Sequence, residues 1–262
     1  MARISSGLDA MRVKLIVEYD GTDYAGWQTQ KNALTVQQCL EEALSDIAGR
    51  QVSAFSSGRT DAGVHASGQV VHFDIDTRIP AEKLSFVINN RLPGDIRVMH
   101  SEEAAPDFHA RFGAKSKTYR YSFYISRHSS PLLKRTHYCV HVPLDISAMR
   151  AAAGCFIGTH DFNAFCSSDI SVKSTVRTIF ECSVLQRFSA SEAAGSVDIY
   201  SIDVTGSGFL YNMVRIISGT LIDVGLGKIK AEDIPSIIAS CDRRRAGVTL
   251  PPNGLCLCKV NY

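Results

Sequence analysis

The chain has 262 residues, 45% of them hydrophobic and 21% charged, with a net charge of +2. That length suits one large domain or two smaller ones with proper cores, and the composition excludes a disordered or fibrous chain. The charge by itself announces no nucleic-acid partner. The eight cysteines form no C-x-x-C pair and match no zinc spacing. Scattered thiols of this kind fit a reducing cytoplasm better than a secreted disulfide framework.

In chain order, residues 1–11 read as a short loose tail without an apolar core of signal-peptide length. No run approaches the length of a membrane span. Residues 13–19 alternate like a strand. Asp20-Gly21-Thr22-Asp23 is a turn signal, and the following segment holds the single tryptophan, Trp27, which suits core packing better than base stacking. Residues 35–48 form an amphipathic helix with Thr35 as N-cap and Gly49 as its stop. Val52, Ala54 and Phe55 make a short apolar run; Val70, Val71 and Phe73 read as a second strand. Residues 80–90 predict another helix, with Pro80 in its first turn, and residues 95–99 another strand. The order strand, helix, strand, strand, helix, strand is the split βαβ, ferredoxin-like arrangement, which RNA-binding proteins often use.

Residues 106–127 interleave cations with aromatics, among them Phe108, Arg111, Phe112, Lys117, Tyr119, Arg120 and Tyr121. That mixture fits a stacking surface for single-stranded nucleic acid, and equally an exposed edge strand with a solvated charged face. Tyr119 and Tyr121 share one face of a strand and Arg120 points to the other. A linker at residues 128–135 suggests a domain boundary. Beyond it, residues 145–153 predict a helix and residues 176–185 and 197–204 two strands with a serine- and alanine-rich turn between. Residues 209–224 predict a strongly apolar helix, 234–240 a short helix, and the terminal segment a strand. Arg215 sits inside the apolar helix, where a buried cation needs a partner unless it snorkels outward. His160 and Asp161 have no further metal ligand nearby and suit a hydrogen-bonded turn. The run from Asp242 to Arg245 fits phosphate contacts or a solvated face.

Between the strands flanking it, residues 53–74 hold a loop of small residues with one arginine, one aspartate and one histidine, punctuated by Gly58, Gly63 and Gly68. Thr60-Asp61-Ala62-Gly63 would serve as an ordinary β-turn, with Arg59 a solvated charge. The same residues, as G-R-T-D-A-G-V-H-A, resemble the active-site motif of the tRNA pseudouridine synthases of the TruA type. Further stretches resemble that family in the same order along nearly the whole chain. They are Y-D-G-T-x-Y-x-G-W-Q, H-A-R-F…K-x-Y-R-Y, G-T-H-D-F-N-A-F, F-L-Y-N-M-V-R-x-I-x-G and the segment through N-G-L-C-L. Leu250-Pro251 departs mildly from the family's alanine-proline and does not touch the chemistry.

The resemblance implies an α+β fold of two ferredoxin-like, RRM-like halves with antiparallel sheets, joined across a central active-site cleft. The expected divisions are a tail at 1–11, an N-terminal half at 12–105, a cross-over strand and linker at 106–135 and a C-terminal half at 136–262. It implies isomerisation of uridine to pseudouridine at positions 38, 39 and 40 of the tRNA anticodon stem-loop, by a homodimer without cofactor or metal. Asp61 would be the catalytic carboxylate, acting at C1′ as a nucleophile or through a glycal-like route. Arg215 would pair with it and hold it ionised. Tyr119 would stack on the flipped uracil, Leu255 would wall the pocket, and Arg59 would fill the vacated space or hold a phosphate. Two competing readings are a non-catalytic RNA-binding protein, which Asp61→Ala would leave intact, and a nucleoside-hydrolysing enzyme, which would release free uracil.

Overall fold

A computed structural model describes residues 10–167, 173–192 and 195–262, which divide into two compact units: residues 10–114 with Tyr262, and residues 115–261. The expected tail at 1–11 lies almost wholly outside the described residues.

In the first unit, strand β1 (Met11–Tyr19) buries every second side chain: Val13, Leu15, Val17 and Tyr19. Helix α1 (Val36–Ala48) buries Val36, Leu40, Ala43 and Leu44. Its ends follow from local chemistry. The Thr35 hydroxyl accepts the Gln38 N–H at 3.3 Å, and Gly49 closes the helix at φ 64°; such an N-cap contributes about 1 kcal/mol. Strands β2 (Phe55–Ser56) and β3 (His65–Ile75), helix α2 (Leu84–Asn89) and strand β4 (Ile96–Glu103) follow. The sheet runs β4-β1-β3-β2 with every pairing antiparallel. This is the predicted split βαβ order. Boundaries differ in detail: the first apolar run pairs over two residues only, and the helix expected at 80–90 starts as a 3-10 turn over Ala81–Lys83.

The second unit repeats the plan. Strand β5 (Ser116–Ile125) is followed by a short strand β6 (Tyr138–Val140), helix α3 (Ile146–Gly154), strands β7 (Gly158–Asp161), β8 (Val176–Glu192) and β9 (Gly195–Gly206), helices α4 (Met213–Gly225) and α5 (Ile234–Ser240), and strand β10 (Leu255–Asn261). The sheet order is β10-β5-β9-β8-β7, with β6 parallel on β5. Without β6 and β7, β5-α3-β8-β9-α4-β10 has the same strand order as the first unit. The chain is therefore α+β, with a ferredoxin-like plan in each unit.

Three expectations need correction here. Strand β5 lies between β10 and β9, so it is a central strand, and Tyr121, Phe123 and Tyr124 are fully buried. The strands of the β8–β9 hairpin run on through most of the predicted serine- and alanine-rich turn; its positions 193 and 194 lie outside the described residues. Helix α4 begins at Met213 rather than at Phe209, because Asn212 adopts the left-handed conformation, φ 61°, which cannot be a turn of right-handed helix.

Candidate active site

The loop between β2 and β3 is held mostly through its backbone. The Trp27 N–H donates to the Thr60 carbonyl at 3.0 Å, and the Gly63 N–H to the Tyr24 carbonyl at 3.3 Å. These bonds fall on either side of Asp61. Gly26 makes the approach possible: it sits at φ 92°, and a Cβ there would lie 2.6 Å from the Thr60 carbonyl oxygen. At Gly21 a Cβ would lie only 2.0 Å from the Val64 carbonyl oxygen. The turn predicted over residues 60–63 is present one residue later. The Val64 N–H donates to the Asp61 carbonyl at 3.1 Å, and Gly63 takes φ 76°. Asp61 is thus the first residue of a tight turn, and the structural and catalytic readings of the motif are compatible.

Side chains complete the clamp. The Tyr19 and Thr60 hydroxyls share a buried hydrogen bond of 2.7 Å. Ser57 Oγ donates to Gln69 Oε1 at 2.8 Å, and Gln69 Nε2 donates to the Gly58 carbonyl at 2.9 Å. The Gly21 N–H lies 3.1 Å from His65 Nδ1, and the same nitrogen lies 3.1 Å from Asp20 Oδ1. The Tyr24 hydroxyl donates to Asp95 at 2.6 Å; burial, aided by that bond, pushes its pKa up. Trp27 is buried and its ring lies 6.1 Å from that of Tyr19, the packing role expected of it. The result is a rigid scaffold that presents Arg59, which is exposed, and Asp61, which is half-buried. Sequence reasoning missed Tyr19 and Thr60 as supports, because each looks like an ordinary strand or loop residue until the fold joins them.

The second unit gathers the other three predicted residues. Arg215 lies in the first turn of α4 and is half-buried. Its Nε donates to the Leu250 carbonyl and its Nη1 to Asn212 Oδ1, both at 2.6 Å. The Leu250 carbonyl belongs to a strap that leads into β10. The Tyr121 hydroxyl donates to the neighbouring Pro251 carbonyl at 2.9 Å, and burial raises its pKa. Leu255, at the start of β10, is buried and pairs in register with Tyr121. Tyr119, two residues before Tyr121, shares its face and meets Phe209 edge to face, with centroids 5.2 Å apart. The residue is 9% exposed.

Other residues singled out in the sequence have local explanations. Asp161 accepts the Asn163 N–H at 3.0 Å, and His160 Nε2 lies 3.1 Å from the Ile157 carbonyl oxygen. Arg244 pairs with Asp242, whose carboxyl is drawn down to about 2 by hydrogen bonds from Arg244. Arg245 donates to Ser236 and Arg243 to Thr249. In the aromatic stretch, Phe112 is 78% exposed beside Arg111, while Tyr121 and Tyr124 are core residues. Among the described residues no helix is long and apolar enough to cross a membrane.

The model of a family described as tRNA pseudouridine synthase matches residues 15–113 and 152–262. Curated relatives named tRNA pseudouridine synthase A resemble the chain along nearly its full length. The protein of Acetivibrio thermocellus is 50% identical over 250 residues, covering 95% of this chain and 99% of its own. That of Ruminiclostridium cellulolyticum is 48% identical over 251 residues, covering 96% and 99%. That of Geotalea uraniireducens is 46% identical over 251 residues, again covering 96% and 99%.

Proposed function

The chain belongs to the tRNA pseudouridine synthase family, and from that premise we propose that Asp61 is the carboxylate that acts on the ribose of the target uridine. The enzyme isomerises uridine to pseudouridine in tRNA. The N1–C1′ bond breaks, the base turns over, C5 bonds to C1′, the C5 proton leaves to water, and N1 takes up a proton, so that no atom is gained or lost overall. The carboxylate assists at C1′, as a nucleophile or by easing departure of the base. The observation that carries the assignment is the pair of backbone bonds, Trp27 to Thr60 and Gly63 to Tyr24, which fix the chain on either side of Asp61. Fixed geometry of this kind is what a reaction at one carbon atom requires.

The remaining roles follow the motif residue by residue. Arg215 pairs with Asp61 and keeps it ionised. Tyr119 stacks on the flipped uracil and Leu255 walls the pocket. Arg59, exposed on the catalytic loop, fills the space the base leaves or holds its phosphate. The substrate uridines are those at positions 38, 39 and 40 of the anticodon stem-loop, the working form is a homodimer, and the scattered cysteines suit a reducing cytoplasmic location.

The test uses unmodified tRNA carrying tritium at uracil C5. Release of tritium to water is expected from the wild type without added nucleotide. Asp61→Ala is expected to lower it by about 10⁴-fold or more while tRNA binding persists. Turnover by the variant within tenfold of wild type would move the chemistry to another residue, and mapping the modified sites decides the positions.

A further inference from the structure

We infer that Asn212 is a positioning residue for the reaction, holding the Arg215 guanidinium in one orientation; the inference rests on the role proposed above for Arg215. Three observations within the second unit converge on it.

The first is conformational. Asn212 is one of two non-glycine residues at positive φ among the described residues, with φ 61° and ψ 6°. Asparagine tolerates this region better than most residues, yet the conformation is still disfavoured for a chain with a Cβ. Backbone held in such a region persists only where its surroundings impose it, and an observed outlier is a reason to look for function.

The second is the direction of the side chain. Asn212 occupies the N-cap of α4, where an asparagine ordinarily takes extended backbone and accepts a backbone N–H of the first turn. Here the side chain makes no such capping bond. Its Oδ1 instead accepts from Nη1 of Arg215, three residues on, at 2.6 Å. The cap is therefore given up, and the amide serves the guanidinium.

The third is that the amide is itself oriented. A guanidinium only donates, so Oδ1 must face it and Nδ2 must face away. Nδ2 donates to Ser167 Oγ at 2.9 Å, and the Ser167 N–H returns to the Tyr211 carbonyl at 3.3 Å. On the other side Nε of Arg215 is held by the Leu250 carbonyl. Ser167, Asn212 and Leu250 thus fix the guanidinium plane from two edges and leave Nη2 of Arg215 unused by the described residues. A planar fork pinned in this way presents its remaining N–H groups in one direction, which is how arginine recognises a carboxylate or phosphate with directional specificity.

The decisive variant is Asn212→Gly, because it removes the amide and relieves the left-handed backbone together. A purely structural role predicts an unfolding midpoint and an activity that move in the same direction. The positioning role predicts that they separate: the midpoint is unchanged or higher, KM for tRNA is within twofold, and kcat falls about tenfold or more. Asn212→Asp, which keeps an acceptor toward Arg215, is expected to restore most of the lost kcat. Wild-type kcat in Asn212→Gly, or a fall that merely tracks a lowered midpoint, overturns the inference. Arg215→Ala, measured alongside, tells the two readings apart. If Arg215→Ala turns over normally, the proposed role of Arg215 fails. If it is inactive while Asn212→Gly is normal, only the positioning role fails.

Discussion

Two buried polar residues, Thr60 and Asp203, show how single side chains serve different ends in the two units. The Thr60 hydroxyl bonds Tyr19 and its carbonyl accepts from Trp27, so the residue before Asp61 is held at two atoms. Tyr19→Phe is expected to lower stability by about 1 kcal/mol, the worth of one buried neutral hydrogen bond, and kcat by more than that loss accounts for. Equilibrium denaturation and single-turnover rates on the same preparation check both. Asp203 lies between Arg120, at 2.8 Å, and Arg187, at 2.5 Å. Burial pulls its pKa up, but hydrogen bonds from Arg120 and Ser201, with the charges of Arg120 and Arg187, outweigh burial and leave it below the usual carboxylate value. A carboxyl depressed in the folded state adds stability that is present in full above the unfolded value and is lost as pH falls through the folded one. The denaturation midpoint of the wild type is therefore expected to drop below pH 4 in part through Asp203. Asp203→Asn is expected to be less stable at pH 7 and to show a flatter acid limb. An acid limb as steep in the variant as in the wild type would assign the acid sensitivity to other groups.

Helix α4 carries Arg215, and its packing is close. A Cβ on Gly219 would lie 2.0 Å from the Val248 carbonyl oxygen, and one on Gly247 would lie 2.6 Å from the Thr220 backbone. Thr220 Oγ1 donates to the Ile216 carbonyl at 2.8 Å and accepts the Gly247 N–H at 2.9 Å. The strap through residues 247–250 is thus seated on the helix, and the same strap offers the Leu250 carbonyl to Arg215. Gly219→Ala forces backbone from backbone. It is expected to cost about 1–3 kcal/mol, the range for overpacking a tight site, and to lower kcat as the strap shifts; thermal unfolding and tritium release measure the two. The apolar period of α4 was legible in the sequence, as were the Thr35 cap and Gly49 stop of α1, because those signals lie within one helix. The true start of α4 was not. A left-handed asparagine serving an arginine side chain leaves no periodic trace, and the run from Phe209 looks continuously helical.

At the scale of the whole chain, the same strand order appears in each unit, so one folding plan accounts for most of the described residues. Net charge is only +2, so binding to tRNA is expected to depend on local phosphate contacts and to weaken with salt. KM for tRNA should rise about tenfold or more between 50 and 200 mM potassium chloride if several phosphates are neutralised, with kcat little changed. A salt-independent KM would argue against phosphate-dominated binding. Light scattering is expected to give twice the 28.6 kDa mass of one chain; a monomer active at assay concentration would overturn the homodimer. By itself the sequence determined the ferredoxin-like order of the first unit and the family. Alternating apolar positions, helix caps and contiguous motifs are all read from neighbours in the chain. Only the tertiary structure decided that β5 is a central strand, that Gly26 and Trp27 clamp the loop at Thr60, and that Arg215 is held by Asn212 and by a carbonyl 35 residues away. Hydrogen bonds between distant loops impose no period on the sequence, so they become visible only when the fold brings their atoms within reach.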